Sequence, residues 1–268
     1  MPLEKNLQPM MPMQYKGDKI LTKVLWFRNR AKFDIDFFDL LQPSRKVSPH
    51  RRYRSGLYHS DKCCREIQYE SALELRFIER LETNPHVVFY WEQPVKIPYW
   101  RGRRKCTYTP DYGIYLDSGH VVLAEIKALP DMLDSRVQQK TEALMAFCSE
   151  RGFGLLLTDG RHIPKDLMKG KVNRKLEREL VAALNNSPIH QCQCQEIMER
   201  CNATKNELYK AVIRLGLRFR PFPMKLQHGD SKSIFRQVFF ERKEYDELCE
   251  NQLTTLLYLG GILNKPIP

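Results

Sequence analysis

A chain of 268 residues with 44 Lys and Arg against 32 Asp and Glu carries a formal charge of +12, which points to a polyanionic partner, either nucleic acid or an acidic membrane surface. Its length holds one large or two modest domains, each with its own core. No apolar run nears the roughly 20 residues that span a bilayer, no basic-apolar-small leader opens the chain, and the eight cysteines lack a regular framework spacing, so a cytoplasmic protein with reduced thiols is expected.

Residues 1–44 are Met- and Lys-rich with little periodicity and read as an arm, with Val24 to Phe27 and Ile35 to Leu41 as short ordered pieces. From Arg45 to Arg65 positive charge dominates, and Arg51, Arg52, Arg54, Lys62 and Arg65 are candidate phosphate contacts interleaved with Tyr53, Tyr58 and His59. The spacing of Ile67, Leu73, Phe77, Ile78 and Leu81 predicts a helix over 67–82, stopped by Asn84-Pro85. On that helix Glu70 falls in the first turn and Glu74 in the middle. Val87 to Trp91 and Val95 to Tyr99 read as strand, broken at Gln93-Pro94. A basic turn follows, in which Arg103, Arg104 and Lys105 are candidate DNA contacts.

The most informative stretch is Tyr108 to Ala128, read as a β-hairpin: Tyr112 to Leu116, a turn at Asp117-Ser118-Gly119, and a return strand from Val121 to Lys127. Pairing across a three-residue loop sets Asp111 opposite Glu125, while Lys127 shares the Glu125 face. Two facing carboxylates stay ionised only with a cation between them. Either a hard metal ion such as Mg²⁺ or Mn²⁺ or a salt bridge from Lys127 meets that need. Val121, Val122, Leu123, Ala124 and Ile126 make the return strand apolar enough to be buried on both faces.

Beyond the hairpin, Asp134 to Arg151 is an amphipathic helix ended by Gly152, and Phe153 to Thr158 a short buried strand. The order of helix, three mainly antiparallel strands, crossover helix and parallel strand predicts an α/β core. A basic helix is expected over Asp166 to Leu184, then a linker at Asn185-Asn186-Ser187-Pro188. Two short helices follow, Glu196 to Cys201 and Lys205 to Leu215, the second capped by Thr204. A β-ribbon from Leu217 that takes in Ile234 to Phe240 gives the outline of a winged helix, and a last helix is expected from Arg242 to Leu259. His190, Cys192, Cys194 and Cys201 fit no common zinc spacing.

The quartet Ser71-Ala72-Leu73-Glu74, the Gln93-Pro94 step, Thr109-Pro110-Asp111 and Glu125-Ile126-Lys127 resemble, in order and spacing, the TnsA endonucleases of heteromeric cut-and-paste transposons, which are restriction-endonuclease-like PD-(D/E)xK nucleases. The resemblance covers roughly residues 45–240, most strongly to about 160, and implies, after the arm (1–44), a nuclease domain (45–164) and a winged-helix-like domain (165–268). It implies Mg²⁺-dependent cleavage at the 5′ side of the transposon ends beside a DDE transposase (TnsB-like), with an AAA+ regulator (TnsC-like) as a further partner, in a bacterial cytoplasm. By the same resemblance Glu74, Asp111 and Glu125 hold the metal, Ile126 with them, and Lys127 orients the attacking water. The competing readings are a stand-alone structure-specific or restriction-type nuclease, and a winged-helix DNA-binding protein whose nuclease-like half is inactive.

Overall fold

The computed structural model describes residues 13–27, 32, 55–229 and 233–241. Arg51, Arg52 and Arg54, the expected piece from Ile35 to Leu41 and the expected last helix lie outside them. The described chain forms two units, one of residues up to 127 with Ala143–Arg161, the other of Ala128–Glu142 with 162–241.

In the first unit, β1 (Gly56–Ser60) and β2 (Arg65–Tyr69) make an antiparallel hairpin, followed by α1 (Ala72–Thr83) and β3 (Val87–Glu92). A second hairpin, β4 (Ile97–Arg101) with β5 (Arg104–Tyr108), leads into β6 (Tyr112–Leu116) and β7 (Val121–Ile126). Helix α2 (Ser135–Arg151) lies in the chain between β7 and β8 (Gly154–Thr158). The main sheet has the order β3-β6-β7-β8, antiparallel except that β8 runs parallel to β7. A parallel neighbour needs a crossover, which is why an amphipathic helix interrupts the strands there. All six residues of β7 are buried, as expected of a strand that is apolar at every position but Glu125 and covered on both faces. Gly113 is needed in β6 because the ring of its cross-strand partner Trp91 lies over it, and a Cβ there would come within 2.5 Å of the indole.

Two sequence expectations are corrected in this unit. The helix begins at Ala72, not at 67, because residues 65–69 pair with β1 and Ile67 is buried as a strand residue opposite Tyr58. A single apolar residue fits a period of 2 as well as one of 3.6, and Ser71, at φ −152°, is the N-cap that fixes the true start. Residues 13–27 are also not an arm: Tyr15, Leu21, Val24 and Trp26 join the core that contains Phe77, Ile78 and Tyr112. Leu25 exchanges two backbone hydrogen bonds with Leu155 of β8, at 2.7 and 2.9 Å. Asp18 ties the segment down by accepting the Ile20 and Leu21 N–H groups at 2.7 and 2.6 Å, and the Tyr15 hydroxyl reaches Asp117 at the β6–β7 turn. The turns are too short to show a period.

In the second unit a single turn (Leu129–Leu133), α3 (Arg174–Leu184), β9 (Ile189–His190), α4 (Gln191–Arg200) and α5 (Lys205–Arg214) are followed by β10 (Arg218–Pro221) and β11 (Met224–Gln227). The three strands form an antiparallel sheet ordered β10-β11-β9, around a core that includes Leu176, Leu180, Ile197, Val212 and Phe219. Thr204 caps α5 as expected, with Glu207 completing a capping box. The basic helix is shorter than its pattern: Pro164–Met168 is a separate turn, Gly170 at φ +92° breaks the path, and Asn173 caps α3. The ribbon's second strand is β11, whereas 234–240 is helical, capped by Ser233. No helix among the described residues is long and apolar enough to cross a membrane.

Trp26 is 3% exposed in the core. Trp26→Ala should therefore cost about 3–5 kcal/mol, lowering the thermal midpoint of the full chain by about 2–4 °C per kcal/mol in a circular-dichroism melt; a detached arm would leave the midpoint unmoved.

Candidate active site

The β6–β7 ladder pairs Tyr112 with Ala124 and Gly113 with Leu123, and one step further along that register Asp111 faces Glu125, as the sequence expects. Asp111 is fixed from both ends: its N–H donates to the Ala124 carbonyl at 3.1 Å, and its Oδ2 accepts the Ile126 N–H at 2.7 Å. Lys127 leaves β7 with its N–H on the Thr158 carbonyl. Its Nζ lies 3.0 Å from Glu125 Oε1 and 3.7 Å from Asp111 Oδ2. The other oxygen of Glu125, Oε2, accepts the hydroxyl of buried Tyr108.

Burial pushes the Asp111 carboxyl well above the usual carboxylate range, and the neighbouring Glu125 charge adds to the effect more than Lys127 offsets it. For Lys127 burial opposes the charge, but Asp111 and Glu125 outweigh it and hold the ammonium well above its ordinary value. Tyr108 is driven up by burial and then by the Glu125 charge, so it remains a donor.

Glu74 occupies a different place from the one its sequence pattern suggests. It is the third residue of α1, and its carboxylate accepts the Glu70 N–H at 2.8 Å and the Ser71 hydroxyl at 2.9 Å, while Ser71 Oγ accepts the Glu74 N–H at 3.2 Å. Ser71 is thus the N-cap, and the Glu74 carboxylate reaches back past it to the N–H of the preceding residue. The first-turn position assigned to Glu70 thus belongs to Glu74, and Glu70 precedes the cap. Glu74 still feels the site: burial raises its pKa, hydrogen bonds oppose the rise, and the Lys127 charge reaches it.

Among the described residues no three His, Cys, Asp or Glu side chains converge closely enough to hold a metal ion as they stand. The donor set nonetheless suits a hard divalent cation. Glu74, Asp111 and Glu125 share the field of one ammonium, so with all three ionised the cluster would carry two more negative charges than positive, and its donor atoms are carboxylate oxygens.

The expected DNA contacts divide. Lys62 is not a free phosphate contact: its Nζ donates to the Asn84 carbonyl and, at 2.6 Å, to that of Val87, and burial lowers its pKa. Arg65 is likewise engaged, in a bidentate pair with buried Glu92 at 3.0 and 2.7 Å. Arg103, Arg104 and Lys105 are exposed on the β4–β5 hairpin. A basic surface that the sequence did not announce is an open recess of about 490 Å³ lined by Lys19, Lys23, Arg80 and Arg161 with Gly17, Asp18 and Thr22; its cations are scattered along the chain from 19 to 161, which leaves no local charge run to find. Gln93, at φ +49°, donates its N–H to the Asp111 carbonyl at 2.8 Å, and only the Gln93-Pro94 step hinted at it. Tyr108 was missed as a site residue because a Tyr in a strand pattern reads as core.

Facing carboxylates and a lysine thus stand together at one end of the two central strands of the sheet. Residues 84–159 match the family model described as TnsA-like endonuclease N terminal, so this part of the chain is similar to a TnsA-like endonuclease N-terminal domain. The match takes in β3 to β8 with Asp111, Glu125 and Lys127, and begins after α1 and Glu74. No curated protein matches the chain.

In metal-free protein, Asp111→Asn should raise the thermal midpoint near neutral pH. The folded-state pKa of Asp111 lies above the unfolded one, so the fold binds more protons in that window and wild-type stability falls as pH rises from about 4. The amide does not titrate, so the substitution removes that dependence. Melts in EDTA at pH 5 and 7.5 check it, the gain being larger at 7.5.

Proposed function

We propose that the chain is a metal-dependent DNA endonuclease of a heteromeric cut-and-paste transposon, cutting the 5′ side of the element's ends. The observation that supports this best is the apposition of Asp111 and Glu125 around Lys127 at the end of a fully buried strand, inside the stretch that matches the TnsA-like model. Asp111 and Glu125, with the Ile126 carbonyl and Glu74, would hold Mg²⁺, or Mn²⁺ in its place. When bound, such an ion supplies Lewis acidity and a water of lowered pKa. Lys127, kept cationic by its two carboxylates, aligns the attacking water and answers the negative charge that grows on the phosphate. Tyr108 holds Glu125 in one orientation, and Arg103, Arg104 and Lys105 bind the DNA backbone.

In this reading the second unit is a winged-helix-type module that docks a DDE transposase (TnsB-like) and an AAA+ regulator (TnsC-like), in a bacterial cytoplasm. The purified chain then cuts transposon-end DNA poorly alone and gains activity with both partners; efficient cutting by the lone protein would favour the stand-alone nuclease.

Asp111→Ala should abolish cleavage of transposon-end DNA, as should EDTA, in a gel assay with added Mg²⁺. Full cleavage in EDTA would remove the metal from the mechanism.

Glu74→Gln separates the two roles of that residue. The glutamine oxygen can still accept the Glu70 N–H and its NH2 can donate to Ser71 Oγ in place of the present bond, so stability should change by no more than about 1 kcal/mol while cleavage falls by at least an order of magnitude. Cleavage at the wild-type rate would make Glu74 a helix cap only. Glu70→Ala should keep most of the activity.

A further inference from the structure

The β4–β5 hairpin has two unlike faces. Ile97, Tyr99, Cys106 and Tyr108 alternate onto one of them, and Ile97 and Tyr108 there are buried. Trp100 and Lys105 stand directly opposite each other on the other face, and both are exposed. Cross-strand partners of this kind hold their Cβ atoms about 5 Å apart, which sets the indole beside the ammonium. The tip adds Arg101 paired with Arg104 across Gly102-Arg103. From Lys96 to Thr107 the segment carries Lys96, Arg101, Arg103, Arg104 and Lys105 and not one acidic residue.

Trp100 is 45% exposed, whereas Trp26 and Trp91 are 3% and 5% exposed. A large exposed indole on a strand invites either a protein or a nucleobase. Charge decides between them, because a hairpin segment with five cations and no carboxylate of its own complements a polyanion better than the mixed-charge surface of an ordinary protein. Every base has a π-face, and an aromatic ring among phosphate-binding cations is the common way to hold an unstacked one. The hairpin also runs straight into the candidate active site: Lys105 is three residues from Tyr108, about 10 Å along the strand, and Tyr108 donates to Glu125.

We propose that the outward face of this hairpin binds unpaired DNA, with Trp100 stacking on a base and Lys105, together with Arg103 in the turn, holding the flanking phosphates. This extends the nuclease reading by adding a specific contact to single-stranded substrate next to the cut.

The test uses the full-length protein in EDTA with an oligothymidylate of about 20 nucleotides, long enough to cover a single-strand site. Tryptophan emission should be quenched as the oligonucleotide binds, and the quenched component should be absent from Trp100→Phe, which keeps its affinity within a few-fold. Trp100→Ala should weaken binding by about 5- to 100-fold, with a smaller loss for a blunt duplex. Lys105→Ala should reduce the slope of log K against log salt by somewhat less than one. Unchanged emission at saturating oligonucleotide, or undiminished affinity in Trp100→Ala, overturns the proposal, as does a change in self-association on Trp100→Ala with DNA binding intact. Should Trp100→Ala fail to fold, the quenching and Trp100→Phe still decide. Cleavage with Mg²⁺ or Mn²⁺ is scored separately: a protein that cuts DNA without engaging Trp100 sinks only the stacking contact, and one that stacks DNA but never cuts it sinks only the nuclease.

Discussion

The ammonium of Lys127 between Asp111 and Glu125 is the interaction on which the first unit turns. Two carboxylates at the end of a strand buried on both faces would repel each other and lose their hydration. Lys127 can offset this only because the strand period places it on the Glu125 side and because the β6–β7 register brings Asp111 across. The surrounding architecture serves that geometry. β8 receives the Lys127 N–H on the Thr158 carbonyl, Gln93 takes the Asp111 carbonyl, and Tyr108 closes the far side of Glu125. Compensation is incomplete, however, since Asp111 stays strongly displaced toward its neutral form.

That residue spacing was legible in the sequence because a hairpin is a local object. Loop length and alternation are enough to pair Asp111 with Glu125 and to put Lys127 on its face, and the apolar run of β7 announced a doubly covered strand. The order of helix, strands and crossover followed from the same local periods. What escaped were features set by contacts distant in the chain. Lys62 and Arg65 look like free cations until the carbonyls of Asn84 and Val87 and the carboxylate of Glu92 are brought to them. The segment at 13–27 has no period because each of its buried residues answers to a different neighbour.

The placement of Glu74 shows how one misassigned helix start changes the reading of a residue. Reading Ile67 as helical moved the helix start from 72 back to 67 and turned a first-turn glutamate into a mid-helix one. Once Ser71 is seen as the cap, the carboxylate has a sufficient local explanation in the Glu70 N–H and the Ser71 hydroxyl. Its nearness to Lys127 is a second, independent fact. A helix cap and a metal ligand ask the same thing of a side chain, a fixed carboxylate oxygen, so one residue can meet both demands.

The pairing of Leu25 with Leu155 has a bearing beyond the core it helps to close. β8 ends the order of the main sheet, and an open strand edge is a template for adding strands from other molecules. By exchanging two hydrogen bonds with Leu155, and with Val24 and Trp26 lying against Gly154, the N-terminal segment occupies part of that edge. A chain begun after residue 27 would present this edge to its neighbours beside an uncovered apolar surface, and self-association in solution, more than loss of helix or strand, is the form its failure would take.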